Sequence, residues 1–336
     1  MYLAVDAMGG DHAPAAILDG SILALNQDPE LFLYFCGKED VIKAHLADKT
    51  YDQSRVEIVP ADEIVGNDEH PVEAVRRKKN ASVVVALNLV KDGKAQGAVS
   101  AGSTGAFLAG STFIVKRIRG IQRPALAPLM PRMDGKEVLL IDCGANVDCR
   151  PQFLPQFALM GSAYMEKVMG VKNPKVGLLN NGAEEGKGNE LTKEAYPLLQ
   201  QCGVNFGGNA EARDIVTADF DVVVSDGFAG NIALKSSEGI GVMLFSLLKK
   251  EMTRNLRSKI GALLLKPALK NLMKYADYTS YGGAILLGVN APVVKGHGSS
   301  NAKAFCAAVH QTAKMVRMDV VGTIKAAMEN IKGEDA

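Results

Sequence analysis

With 336 residues, 47 % of them hydrophobic and 22 % charged, the chain can bury a large core and has the composition of a soluble globular protein. A net charge of +1 argues against a nucleic-acid-binding surface, and no run reaches the ~20 apolar residues that span a bilayer. The five cysteines (Cys36, Cys143, Cys149, Cys202, Cys306) are an odd number without a CxxC pair, which fits a reduced cytoplasm; the five histidines form no HxxxH or HxH pair, so a zinc site has little support.

The chain enters a strand at once, over residues 3–6, with no basic leader or apolar segment before it. Met8-Gly-Gly-Asp11-His12-Ala-Pro14 then turns into a helix predicted over 12–25, where Asp11 suits an N-cap and Pro14 the first turn. Apolar runs of strand length follow at 31–36, 56–59, 97–100, 138–142, 176–180, 221–225 and 284–289. Helical patterns separate them, over 74–90, 104–116, 153–169, 190–200, 231–258 and 300–330. Fully apolar strands alternating with helices predict a three-layer αβα sandwich around a mostly parallel sheet. No linker or repeat divides the chain, so residues 1–332 are expected to form one domain and 333–336 a frayed tail.

Function is expected where strands release glycine-rich turns into helix starts. Besides the opening turn there are three such places: Gly97 to Ser111, with Gly102, Ser103, Thr104 and Gly105; Asp221 to Asn231, with Asp226 and Gly230; and Lys295-Gly-His-Gly-Ser-Ser-Asn301. Glycine lets the backbone approach a ligand closely, and free N–H groups at a helix start attract anions. One such turn is equally well a capped strand-to-helix connection. Repetition along one edge of an open α/β sheet favours an anion site there.

Between these turns lie features with competing readings. Arg76-Arg77-Lys78-Lys79 spreads around its helix axis, so it is a solvated face or a docking point for an acidic carrier. Asp142-Cys-Gly-Ala-Asn-Val-Asp148 could place a cation, although Asx-turn chemistry explains it as well and is preferred. In Glu184-Glu-Gly-Lys187-Gly-Asn189 the lysine is either solvated or the positive charge that a phosphate site lacks. From Lys249 to Lys274 there are eight basic residues and one acid, a net +7 that leaves the rest of the chain about −6. Within that segment Ile260, Leu263, Leu264 and Leu265 form an apolar knuckle ended by Pro267. Two helices meeting at such a tip suit an anionic membrane surface, a dimer contact, or both.

Absences narrow the chemistry. There is no Walker A loop, no strand-linked GxGxxG with a downstream acid, no GxSxG elbow, and no cysteine with a histidine partner in its local sequence. Anion cradles without an evident nucleophile allow inorganic phosphate itself to be the attacking group. A thiolate leaving group needs little acid assistance, since thiols have pKa ~8.5. Such a site requires positioning and an oxyanion donor, and no metal or organic cofactor.

Eight segments together resemble the PlsX family of bacterial phosphate acyltransferases. They are Ala4-Val-Asp-Ala-Met-Gly-Gly-Asp-His-Ala-Pro14, Ala74-Val-Arg-Arg-Lys-Lys-Asn80, Ser100-Ala-Gly-Ser-Thr-Gly-Ala106, Arg123-Pro-Ala-Leu-Ala-Pro128, Gly144-Ala-Asn-Val-Asp148, Gly188-Asn-Glu-Leu-Thr-Lys193, Ser225-Asp-Gly-Phe-Ala-Gly-Asn231 and Tyr281-Gly-Gly-Ala284. The resemblance runs in unbroken order from residue 4 to about 330. It departs from the family pattern at Ser103, where many members carry Asn, and at Glu185-Gly186.

The resemblance implies a phosphotransacetylase- and isocitrate-dehydrogenase-like fold with a protruding helical hairpin at about 240–278. It implies a cytoplasmic homodimer, loosely held at the inner face of the membrane, that makes acyl phosphate from acyl-[acyl carrier protein] and phosphate for phospholipid synthesis. On this reading Gly102, Ser103, Thr104 and Gly105 cradle phosphate, Lys187 neutralises charge and Asn231 donates to the thioester oxygen. Asp226, Gly230, His12, His297 and Ser299 complete the wall. The alternatives are a phosphotransacetylase acting on soluble acyl-CoA, and an anion-sensing scaffold that needs the cradles but not Lys187.

Overall fold

The computed structural model describes residues 1–217, 219–276 and 282–334, and of 273–276 and 330–334 the backbone alone. The last two residues of the expected tail, Tyr281 and positions 277–278 of the expected hairpin lie outside the described residues. The strands are β1 (Tyr2–Asp6), β2 (Phe32–Gly37), β3 (Val56–Pro60), β4 (Gly97–Ser100), β5 (Ala125–Ala127), β6 (Leu129–Pro131), β7 (Glu137–Ile141), β8 (Lys175–Asn180), β9 (Asn205–Glu211), β10 (Val222–Val224), β11 (Ala284–Leu287) and β12 (Val293–Lys295). The helices are α1 (Ala15–Gln27), α2 (Glu39–Leu46), α3 (Pro71–Arg77), α4 (Ser82–Lys91), α5 (Thr104–Gly110), α6 (Phe153–Lys167), α7 (Glu190–Gln201), α8 (Asp214–Thr217), α9 (Gly227–Thr253), α10 (Leu256–Leu264), α11 (Lys266–Ala276), α12 (Ala302–Arg317) and α13 (Val320–Glu334).

The αβα layering is as expected, but the strands form two sheets rather than one. The larger has the order β3-β2-β1-β4-β12-β11-β5 and the smaller β6-β7-β10-β8-β9. Pairing is parallel except around β11 and β6. Only Pro128 separates β5 from β6, so one short extended segment passes from the first sheet to the second.

The two-residue period of the strands explains the layers. Leu3, Val5 and Val99 pack with α1 and α12 residues in one cluster, whereas Ala4 and Ala98 pack with α4 residues such as Val84 and Leu87 in another. In the smaller sheet Leu139, Ile141 and Val222 join the first cluster through α6, while Val138, Leu140 and Val223 meet Ile215 and Leu234 of α8 and α9. One continuous core therefore lies between the sheets, and strands such as β4, β7 and β10 are covered on both faces, as their apolar sequences require, whereas the edge strands β3 and β9 are partly exposed.

Several expected helices are subdivided. The stretch 74–90 breaks between α3 and α4, where the Ala81 backbone pairs with Glu63 and the Asn80 N–H donates to the Glu63 carboxylate. The last long helix divides at Asp319, which has φ 46°. Pro14, not Asp11, occupies the N-cap of α1; the Asp11 N–H instead donates to the Gly298 carbonyl at 2.8 Å.

Candidate active site

A cavity of about 810 Å³ opens beyond the C-terminal ends of β4, β7, β10 and β12. Its polar wall holds Thr104, Gly144, Asn231, Lys235, Lys295, His297 and Ser299. Its apolar wall is made of Leu126, Leu129 and Met130 at the crossing between the sheets and of Leu234, Val242 and Phe245 along α9. Of the residues expected from the sequence, the structure brings Thr104, Asn231, His297 and Ser299 to this wall.

The turn after β4 is fixed by a buried hydrogen-bond chain. The Ser100 hydroxyl donates to Asp6 at 2.6 Å and accepts from the Gly102 N–H at 3.0 Å. Burial raises the Asp6 carboxyl above its ordinary range, with the Ser100 hydrogen bond opposing that shift. Gly102 lies so close that a Cβ would stand 3.2 Å from the Asp6 carboxylate and 3.3 Å from the Ser100 hydroxyl. Ser103 caps α5, its hydroxyl accepting from Ala106 N–H at 3.5 Å. Gly105 serves packing: a Cβ there would press on the Pro71 ring of α3 at 2.6 Å. Of the four cradle positions, Thr104 is thus the one on the cavity wall.

The start of α9 is equally constrained. Asp226 is its N-cap, accepting from the Ala229 N–H at 2.7 Å. Gly230 leaves no room for a side chain, since a Cβ would collide with the Asp142 carbonyl oxygen. Gly144, whose φ of +119° favours glycine, faces the Asn231 amide across the cavity wall, about 3.9 Å from where its Cβ would stand. On the loop after β12, the Ser299 N–H donates to Nδ1 of His297 at 3.2 Å, and the Ser299 hydroxyl lies 2.8 Å from the same atom. With Nδ1 accepting, the proton of a neutral ring sits on Nε2.

Besides Gly102, Ser103, Gly105, Asp226 and Gly230, two more expected residues stand off this wall. Lys187 is exposed on the loop between β8 and α7, where its N–H donates to the Glu184 carbonyl and its own carbonyl accepts from Asn180. His12 is exposed on the loop between β1 and α1. Sequence reasoning in turn gave no role to Lys295 or Lys235. A lysine in a polar loop reads as solvated; only the fold reveals that Lys295 is buried.

Asp142 is buried and accepts from the N–H groups of Leu126, Ala145 and Asn146 and from the Asn146 amide. It organises the loop after β7, the Asx-type role preferred above, while Asp148 is exposed. Among the described residues no group of three or more His, Cys, Asp or Glu side chains is placed to hold a metal ion.

Cys143 is the one cysteine on the cavity wall, and burial, aided by Asp142, pushes its thiol well above the ordinary range. Burial likewise lifts Cys149 to about 12. Neither is a thiolate nucleophile near neutral pH.

Beyond its first turns α9 leaves the body of the protein. Ile240, Val242, Met243, Leu244 and Leu247 are exposed along it, and only Gly227 and Gly230 are buried. The expected two-helix hairpin contains three helices. Asn255 caps α10, and Pro267 stands in the first turn of α11 rather than ending a helix. Ile260, Leu263, Leu264 and Leu265 are all exposed, Leu264 by 77 %. Among the described residues no helix is long and apolar enough to cross a membrane.

The α/β core thus sets polar donors at strand ends beside an apolar trough. The fold resembles that of a phosphotransacetylase from Streptococcus pyogenes, with a TM-score of 0.64 at 18 % identity over 94 % of both chains. Residues 1–323 match the family model described as fatty acid synthesis protein. The chain is 49 % identical to the phosphate acyltransferase of Clostridium acetobutylicum over 98 % of its own length and 100 % of that protein. It is 53 % identical to that of Clostridium beijerinckii over 93 % of its length and 94 % of that protein. The chain belongs to the PlsX family of phosphate acyltransferases.

Proposed function

We propose that this protein transfers a fatty acyl group from the thioester of an acyl carrier protein to inorganic phosphate. One observation carries the reading: the cavity joins a donor-rich wall at Thr104, Asn231 and His297 to an apolar wall at Leu129, Met130, Val242 and Phe245. The first suits phosphate and a thioester carbonyl, the second an alkyl chain.

The chemistry follows from the groups present. A phosphate oxygen attacks the thioester carbonyl carbon while the carbonyl oxygen gains negative charge. The Asn231 amide donates a hydrogen bond to that oxygen, a contact stronger in the transition state than in the ground state. The carbon–sulfur bond then breaks, the acyl–phosphate bond is complete, and the thiolate leaves to take up a proton. Thr104 orients phosphate from the cavity wall, and Lys187, exposed on the loop between β8 and α7, supplies positive charge. Burial holds the Cys143 thiol protonated, which supports direct attack by phosphate over an acyl-cysteine.

The exposed apolar stripe of α9 supports a homodimer, and the basic segment with its leucine tip supports reversible contact with an anionic membrane from the cytoplasmic side. The reading is tested by thiol release with and without phosphate, from acyl carrier protein and from acyl-CoA. Phosphate-dependent release from the carrier thioester, with acyl phosphate as product, is expected. Equal or better use of acyl-CoA identifies a phosphotransacetylase instead, and release from neither leaves an anion-binding scaffold.

A further inference from the structure

Lys295, the last residue of β12, lies on the cavity wall without a role in the chemistry above. Its backbone pairs with Ser100 at the end of β4, so it stands at the strand edge from which the cradle springs. Only 7 % of the residue is exposed. Its Nζ donates to the carbonyl oxygens of Ala101, at 3.1 Å, and Gly296. An ammonium has three N–H donors, so among the described residues one is left uncommitted.

The charges around this group do not neutralise it. Asp6 on β1 and Asp11 on the following loop attract it from a distance, and Lys235 on α9 repels it. Among the described residues no carboxylate stands at ion-pair distance from its Nζ. The nearest acid along the strand edge, Asp6, is engaged by the Ser100 hydroxyl. Burial pulls the lysine down to about 8. A buried cation without an adjacent anion is unfavourable, and a bound anion removes that penalty. Lys187, by contrast, is an exposed lysine off the cavity wall.

We propose that Lys295 is a direct ligand of the attacking phosphate, its free N–H and its charge holding the oxyanion in the cavity that Thr104 and Asn231 share. The inference rests on the acyl-transfer reading only for the identity of the anion. It divides the labour between two lysines: Lys295 binds phosphate from inside the wall, and Lys187 acts from the exposed loop between β8 and α7 during transfer. The competing role is structural, a staple that uses both carbonyls to tie the loop after β4 to the loop after β12.

The test measures binding of inorganic phosphate to the whole protein by equilibrium dialysis, with no thioester present, for wild type, Lys295→Met and Lys295→Arg. The Met variant is expected to bind phosphate about 10–100-fold more weakly, the range set by one charge-assisted hydrogen bond. The Arg variant should lose only a few-fold. Wild-type affinity should also fall as pH rises through about 8, whereas the Arg variant, charged throughout, keeps its affinity. Inorganic phosphate titrates identically in both experiments, so the difference reports the lysine.

Unchanged phosphate affinity in Lys295→Met, with or without a lower Tm, overturns the inference in favour of the staple. If the Met variant does not fold, the pH profiles decide, and matching profiles for wild type and Lys295→Arg overturn it. A raised KM for the carrier thioester with unaltered phosphate binding overturns it too, assigning the lysine to the phosphodiester of the carrier's arm. Lysine-dependent phosphate binding by a protein that makes no acyl phosphate would sustain the inference and sink the functional reading.

Discussion

The carbonyl oxygen of Asp142 occupies the space in which a side chain on Gly230 would begin. This contact joins the end of β7 to the first turn of α9 and sets where Asn231, the next residue, enters the cavity. Gly230→Ala is expected to lower stability by about 1–3 kcal/mol, as overpacking against rigid backbone does. Urea unfolding measures this; a variant as stable as wild type would show that the two elements can separate freely.

Asn231→Ala should lower the rate of acyl-phosphate formation by ~10²–10³, as loss of an oxyanion donor does, with Tm nearly unchanged because the side chain is exposed. Lys187→Ala should likewise leave Tm in place while reducing the rate. Steady-state kinetics within a few-fold of wild type for either variant removes that residue from the reaction.

How far the sequence exposes this architecture depends on where the determining contacts lie. Runs such as Val222 to Val224, apolar on both faces, are recognisable because burial is written into each residue. Strands β5, β6 and β12 are three residues each, too short to show a pattern, β9 contains Gly207 and Gly208, and the partners of β5 and one partner of β12 lie far away in the chain. The division into two sheets hides as well, since the chain passes from the first to the second at the single residue Pro128.

The site shows the same split. Thr104, Asn231, His297 and Ser299 were legible because each follows a strand in a glycine-rich turn. Ser103, Gly105 and Asp226 occupy equally suggestive positions, yet the structure gives Ser103 and Asp226 to capping and Gly105 to a contact with Pro71. Lys295 was illegible because its significance is burial, a property of β4 and β12 side by side.

Cys143→Ser should keep kcat within a few-fold of wild type, because the thiol is held protonated by burial and takes no part in transfer. Alkylating reagents at neutral pH should for the same reason label it slowly. A loss of more than about a hundredfold, the scale at which a nucleophile is missed, would require a covalent acyl-cysteine step.

Leu264→Glu places a charge at the most exposed leucine of the tip and should release the protein from anionic liposomes in a flotation assay. Wild-type binding should weaken with salt, since each basic residue near an anionic surface contributes about 1 kcal/mol. Acyl transfer in solution should persist, because the tip is remote from the cavity wall. Undiminished flotation of the variant would leave the dimer as the segment's role.

Direct attack by phosphate is the central claim, and a single-turnover experiment tests it most directly. Enzyme in excess is mixed with acyl carrier thioester in the absence of phosphate, and free thiol and protein-bound acyl groups are followed before and after phosphate is added. The account predicts no thiol release and no acylated protein until phosphate arrives, then one equivalent of thiol together with one of acyl phosphate. A phosphate-independent burst of thiol, with the acyl group left on the protein, would contradict it.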